Sequence, residues 1–224
     1  MSVKPQSPLA GPPYTRERRD SENRLIIDIV CRAMTPGAQR VEDEVMMVVG
    51  CVIFWAGACS VLGADFALDT VAGWGLGGGA GYLALWAMLR HALMSSTVIS
   101  MTEDDIFAPS KWYGSNRYTR KRDHSFQVLQ HDKAIAESIK QEKQIAEASL
   151  KGKVLRPKKY HQRSWHIVLY YGRTRVDLCT VYGEKDASAI FNRLVYVDQL
   201  LDERAGILVG RDPEHQFRND AGDL

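Results

Sequence analysis

Two long uncharged stretches constrain this chain more than any other feature of its sequence. Residues 45–64 and residues 70–89 each contain twenty residues and no charged side chain. A helix of that length crosses a hydrocarbon core of roughly 30 Å at about 1.5 Å per residue. Only residues 65–69 separate the two stretches, so two spanning helices would have to form a hairpin. The pattern therefore predicts a membrane α-helical hairpin.

The second stretch contains glycines that support two interpretations. Gly73, Gly75 and Gly78 spell G-x-G-x-x-G, the turn that binds a dinucleotide pyrophosphate. That motif opens an amphipathic helix, whereas the residues that follow here are apolar on every side. Gly73, Gly77 and Gly81, which we call the glycine face, recur at the four-residue spacing of close helix contacts in lipid. We favour the membrane interpretation and expect no cofactor.

The first stretch offers a matching set of small residues. Ala56, Ser60 and Ala64 repeat at the same four-residue spacing. Small side chains let two helix backbones approach closely, so we expect the glycine face to pack against this set within one chain. A homodimer through the glycine face is one alternative, and the sequence does not rank these two. In a third interpretation, the glycines only add flexibility.

Charges beside the two stretches predict an orientation. The linker carries Asp65 and Asp69 and no cation, whereas six arginines precede the first stretch and Arg90 follows the second. Cytoplasmic loops carry an excess of Lys and Arg. The sequence therefore predicts a multi-pass protein of the inner membrane with both termini in the cytoplasm.

Composition and apolar spacing divide the rest of the chain into four segments. Residues 1–20 are rich in Pro, Ser and Arg, which predicts a disordered tail. Residues 21–35 carry apolar side chains at helical spacing, which predicts an amphipathic helix. Residues 96–204 are expected to form a cytoplasmic α+β domain, and residues 205–224 a polar tail.

Within the α+β domain, we expect a short antiparallel sheet, one inserted helix and one closing helix. Residues 132–151 form the inserted helix, which has few apolar positions and is predicted to be mostly solvated. Residues 186–204 place apolar side chains on one face and are predicted to cover the sheet. Residues 165–183 read as a hairpin with a Gly172-Arg173 turn, a register that sets His166 opposite Cys179.

This layout resembles small bacterial inner-membrane proteins that carry a two-helix membrane hairpin and a PH-like cytoplasmic domain. The hairpin "VLYYGRTRVDL" and the helix "ASAIFNRLVYVDQLL" are the parts that resemble that family best. The resemblance implies binding at a membrane surface and carries over no catalytic residues.

Basic side chains concentrate in the middle of the chain, although the net charge of the whole is only +2. Residues 111–163 hold fourteen Lys or Arg against five acidic residues, whereas residues 184–224 hold five against nine. We expect the middle segment to bind anionic lipid headgroups or an acidic protein, because a tethered domain lies beside an anionic leaflet. The candidate residues are Lys111, Arg117, Arg120, Lys121, Arg122, Lys151, Lys153, Arg156, Lys158, Lys159 and Arg163.

Three alternatives to this site stay open. Trp112, Tyr113 and Tyr118 lie among the cations and could stack bases, but the tether makes nucleic acid the less favoured partner. A solvated basic face could merely enforce topology. His166 and Cys179 could form the dyad of a membrane-associated enzyme, although no Gly-rich turn flanks the cysteine. The expected function is a membrane scaffold or interaction protein, not an enzyme, with no metal site.

Overall fold

The computed structural model describes residues 12–63, 68–109 and 114–206 of the 224-residue chain. The chain divides into two compact units. One, the β unit, combines the chain up to Ala33 with the chain from Ser95 onward. The other, the helical unit, is formed by the residues between them.

Five strands form the first sheet of the β unit, which is antiparallel with the order β1-β2-β3-β4-β5. Ile29 of β2 lies opposite Ile99 of β3. The residues of the helical unit therefore separate, in the sequence, two strands that are hydrogen-bonded neighbours. The strands are β1 Tyr14–Arg19, β2 Leu25–Ala33, β3 Ser95–Met101, β4 Asp105–Pro109 and β5 Ser115–Thr119.

The prediction of an amphipathic helix over residues 21–35 is wrong, because most of that segment is β2. Ile27, Ile29 and Cys31 are alternate residues of this strand, and all three belong to the core. A run of β-branched residues suits a strand, where branched side chains pack well on a pleated surface. The prediction of a disordered tail over residues 1–20 is wrong for Tyr14–Arg19, which form β1. Residues 1–11 lie outside the described part of the chain.

Three strands form a second antiparallel sheet in the order β6-β7-β8. The expectation of one short sheet is therefore also wrong, since the β unit contains two. The remaining elements are β6 His124–Gln130, helix α3 Ala134–Leu150, a 3₁₀ turn at His161–Arg163, β7 Ser164–Tyr171, β8 Thr174–Tyr182 and helix α4 Glu184–Arg204.

Helix α4 builds the core together with both sheets. Leu194, Val197 and Leu201 are fully buried and repeat at helical spacing along one face of α4. They belong to one apolar cluster with Phe126 of β6 and Ile99 of β3. The core therefore lies between the two sheets and this helix. The burial of each such side chain contributes about 1.5–3 kcal/mol to the stability of the fold.

The β7–β8 hairpin follows the predicted register near its turn and departs from it further away. Leu169 lies opposite Val176 as expected, and Gly172 adopts a φ of 61°, which suits glycine in a tight turn. A bulge between Ile167 and Val168 then shifts the register by one residue. His166 consequently lies opposite Thr180, and Cys179 lies opposite Ile167.

The helical unit consists of α1, Pro36–Gly63, and α2, Leu68–Leu93. The two helices run in opposite directions and contact each other along their length. A Cβ atom added at Gly78 would lie 3.0 Å from Ile53, and one at Gly57 would lie 3.8 Å from Trp74. The approach at Gly78 is unusually tight and favours the missing side chain of this glycine, whereas the distance at Gly57 is an ordinary van der Waals contact.

The predicted membrane hairpin is wrong, because only one described helix has the length and apolar content to cross a membrane. That candidate span is Pro36–Ser60, with a mean hydropathy of 1.5. The second predicted span, residues 70–89, is not apolar enough. Six of its positions are glycine, and glycine has no side chain to bury in hydrocarbon. The predicted multi-pass topology with both termini in the cytoplasm is therefore not supported.

The glycine face does not make the predicted contacts. Gly73, Gly77 and Gly81 are exposed, and a Cβ added at any of them would meet no atom within 4 Å. Gly78 is the glycine of α2 that α1 approaches instead. Of the predicted partners, Ser60 donates a hydrogen bond to the carbonyl oxygen of Ala56 in its own helix, at 2.9 Å. A homodimer through the glycine face stays a prediction.

Candidate functional site

The inner face of α3 is fastened to the chain that follows it. Glu137 accepts hydrogen bonds from the backbone N–H groups of Tyr160 and Gln162, at 3.1 and 2.8 Å. One turn further along, Gln141 donates to the carbonyl oxygen of Lys158 at 3.0 Å. A charged acceptor of two backbone N–H bonds is a strong anchor. Residues 158–162 are therefore fixed alongside α3.

The end of α3 turns the chain back along the helix. Gly152 has a φ of 66°, a conformation that favours glycine. Its N–H bonds to the carbonyl oxygen of Ser149, and the N–H of Lys153 bonds to that of Ala148. This is a Schellman motif, which ends a helix and satisfies its last carbonyl groups. The basic residues begin at this turn.

Six cations of the returning segment point into solvent. We call them the basic segment, and all six side chains are exposed: Lys151, Lys153, Arg156, Lys158, Lys159 and Arg163. The same stretch, residues 151–163, contains no acidic residue. These six positions are the predicted site residues that are exposed and lie within one stretch of the chain, residues 151–163.

The other predicted cations are held by partners within the β unit. Arg117 pairs with Asp105 at 2.7 Å, and Lys121 pairs with Asp104 at 3.2 Å. Arg122 lies over the ring of Tyr171, 5.0 Å from its centre. Lys111 lies outside the described residues. This group does not extend the basic segment.

Arg120 is a core residue. Its side chain is 2% exposed and donates hydrogen bonds to Asp198 of α4 at 2.8 and 3.0 Å and to Asp202. His124 also contacts Asp198, at 3.2 Å. Burial alone would raise the pKa of Asp198, but His124 and the Arg120 guanidinium lower it below its ordinary 3.8. Arg120 therefore ties β5 to α4, and it is not available to an external anion.

Three histidines that the sequence did not group lie together at the base of α3. The ring of His131 is 4.5 Å from that of His161 and 4.4 Å from that of His166, measured between centres. Burial lowers the pKa of His131, and the imidazoles of His166 and His161 lower it further. Asp132 lies 3.8 Å from His166 and counteracts this effect. The surroundings of His131 therefore favour its neutral imidazole.

The structure does not assemble the His166–Cys179 dyad. His166 bonds to the hydroxyl of Thr180 at 2.8 Å. Cys179 pairs with Ile167 instead and so points to the other face of the hairpin. A hydrogen bond with Cys31 and burial raise the pKa of the Cys179 thiol well above 9.0, which disfavours the nucleophilic thiolate.

The aromatic residues proposed for base stacking are not arranged as a platform in the described chain. Tyr118 is partly buried and packs against the edge of Tyr171, with ring centres 5.3 Å apart. Trp112 and Tyr113 lie outside the described residues. Tyr160 is the only Trp, Tyr or Phe of residues 151–163, and its backbone is bound to Glu137.

The comparisons with known proteins identify no family. No family model, no curated protein and no solved structure matches this chain. Among the residues that the structure describes, no group of three or more His, Cys, Asp or Glu is arranged to hold a metal ion.

Sequence reasoning found the cations of the basic segment but missed what positions them. Glu137 and Gln141 are four residues apart and so share one face of α3, which is a detectable signal. Their partners, however, are backbone groups about twenty residues later, and no side-chain pattern marks them. The inward face of the helix could therefore not be assigned in advance.

Proposed function

We propose that this protein is a membrane-anchored interaction module whose β unit binds anionic lipid headgroups through the basic segment. Helix α1 supplies the anchor, and the membrane is the inner membrane. The observation that carries the proposal is the exposure of all six cations of the basic segment, with residues 158–162 of this stretch fixed against α3. A scaffold role at the membrane, with a PH-like β unit, is consistent with this arrangement.

The magnitude of the attraction suits a tethered domain. Each Lys or Arg near an anionic leaflet contributes about 1 kcal/mol, so six cations contribute on the order of 6 kcal/mol. Fixing residues 158–162 against α3 lowers the entropy lost when their side chains bind. An interaction of this size is strong at low salt and is screened as the Debye length falls toward about 8 Å.

The test measures how exposed two native lysines remain beside a bilayer. The full-length chain is placed in lipid nanodiscs with or without phosphatidylglycerol, and acetylation of Lys151 and Lys153 is followed by mass spectrometry. We expect slower acetylation in anionic discs at low salt, and faster acetylation as salt rises. Equal rates in both kinds of disc at low salt would refute lipid binding.

Charge reversal localises the effect. The double variant Lys158→Glu and Lys159→Glu changes the local charge by four units, which removes roughly 4 of the roughly 6 kcal/mol, so the effect of phosphatidylglycerol on acetylation at Lys151 should become much smaller. Lys185→Glu is the matched control, because Lys185 is an exposed lysine of α4 outside the basic segment. It should keep the protection of the native chain.

A protein or nucleic-acid partner would give different results in the same assay. Protection that requires an added acidic protein or single-stranded DNA, and that is absent with anionic lipid alone, would assign the basic segment to that partner and overturn the lipid proposal.

A further inference from the structure

Helix α3 turns its apolar side chains away from the protein. Ile135, Ile139, Ala146 and Leu150 fall within about 60° of one another at 100° per residue, so they form one stripe along the helix. We call these four residues the outer stripe. Ile135 is 72% exposed, Ile139 is 51% exposed and Leu150 is 89% exposed.

The face of α3 that does pack is polar or small. Ala134 and Gln141 are the buried residues of the helix, and Glu137 is partly buried and bonded to the returning chain. On the helical projection this inner face lies roughly opposite the outer stripe. An ordinary surface helix has the reverse arrangement, with its apolar stripe against the core. The outer stripe therefore contributes nothing to the packing of the described chain.

Cations border the outer stripe on the helix and beyond it. Lys140, Lys143 and Lys151 are exposed and lie on one flank of the stripe, together with Glu147, while Glu142 adjoins the other flank. Residues 133–163 contain nine Lys or Arg and three Glu. One of the three, Glu137, accepts hydrogen bonds from backbone N–H groups. An exposed apolar face bordered by Lys and Arg is typical of helices that lie in a membrane interface.

We propose that α3 is an interfacial membrane helix, whose outer stripe enters the boundary between headgroups and acyl chains of an anionic bilayer. The occupant follows from charge complementarity: a surface that is apolar at its centre and positive along one flank, where three Lys outnumber one Glu, matches an anionic bilayer. The inference rests on the proposed function, because the basic segment brings α3 to the lipid. It adds a second contact that salt does not screen.

The test places an environment-sensitive probe on α3 of the full-length chain in nanodiscs. Cys51 and Cys59 are exposed and are first replaced by serine, while Cys31 is buried. An NBD fluorophore is then attached to Ile139→Cys, in the outer stripe. The matched control is Gln144→Cys, an exposed residue on a different face of the same helix. Both positions are exposed, so neither label disturbs packing.

We expect NBD emission at position 139 to shift to the blue and to rise at least about twofold in phosphatidylglycerol discs, and to stay unshifted in zwitterionic discs. The probe at position 144 should stay unshifted in both. Ile135→Asp in the labelled chain should remove the shift at 139, since a carboxylate opposes insertion of the stripe, while acetylation of Lys151 stays slow in anionic discs.

The outcomes separate the two proposals. Equal emission at positions 139 and 144, together with protected lysines, overturns insertion and leaves headgroup binding intact. Unprotected lysines and no shift refute both. A shift at 139 that follows protein concentration, with no dependence on anionic lipid, assigns the outer stripe to a second copy of the chain and overturns the membrane proposal.

Discussion

Replacing Arg120 with methionine should destabilise the β unit more than the loss of any exposed cation. Arg120→Met removes the only guanidinium that the described chain places between Asp198 and Asp202, and with it hydrogen bonds to three backbone carbonyl groups. His124 stays beside Asp198 but does not reach Asp202 in any described contact. Removing one partner of a buried ion pair costs about 3–5 kcal/mol.

A neighbouring cation provides the matched control. Lys121→Met breaks the pair with Asp104, in which the two side chains are 78% and 52% exposed. Exposed pairs contribute about 0–1 kcal/mol, so this variant should unfold almost as the native chain does. Adding Asp202→Asn to Arg120→Met should recover part of the loss, because it removes one of two adjacent buried charges.

The assay uses Cys31 of β2, which is 2% exposed and becomes reactive only when the β unit opens. The full-length chain in detergent micelles is alkylated at increasing urea, and peptide mass spectrometry separates Cys31 from the other cysteines. A loss of 3 kcal/mol increases the opened population by more than about 100-fold. If Arg120→Met and Lys121→Met increased the alkylation rate equally, the buried network would not stabilise the fold as argued.

Two further predictions concern packing and pH. Gly78→Leu should lower the thermal stability of the α1–α2 pair in detergent, because its Cβ meets the facing helix at 3.0 Å and overpacking costs about 1–3 kcal/mol; Gly77→Leu, with open space, should not. Because the pKa of His131 lies below 6.5 in the folded chain, the unfolded chain binds the proton first as pH falls below about 6.5. The unfolding free energy should decrease over that window, less steeply in His131→Gln, and equal slopes would contradict the assignment.

The parts of the fold that sequence predicted well are those set by neighbours along the chain. The β7–β8 hairpin and α4 carry complete local signals: a Gly172 turn with φ above zero, and apolar residues at helical spacing. β2 carries no such signal, because Ile26, Ile27, Asp28 and Ile29 are all buried. A strand buried on both faces loses its alternation and can match a helical pattern as well. The strand that pairs with it, β3, follows in the sequence only after the whole helical unit, so no local pattern marks the pairing.

The same distinction applies to the candidate site. Composition alone indicated the cations of residues 151–163, since no acidic residue accompanies them. Arg120 and Arg122 could not be separated in that way, although one is buried and the other exposed. The difference depends on Asp198 and Asp202, which are 78 and 82 residues from Arg120 in the chain. Long-range pairing of this kind leaves no local pattern to detect.

The sequence of α3 and the basic segment is best explained by something outside the chain. The two sheets and α4 build the apolar core, to which α3 contributes no residue, although Ala134 is buried. Glu137 and Gln141 suffice to hold the returning backbone. A helix needed only for that purpose would expose polar side chains on its outer face, because exposed aliphatic groups promote aggregation and stabilise nothing. This helix instead exposes the outer stripe, which ends at Leu150, next to Lys151, the first cation of the basic segment. The proposed anionic bilayer accounts for both features, and removing either feature should weaken binding in a different way: charge reversal at low salt, loss of the stripe at high salt.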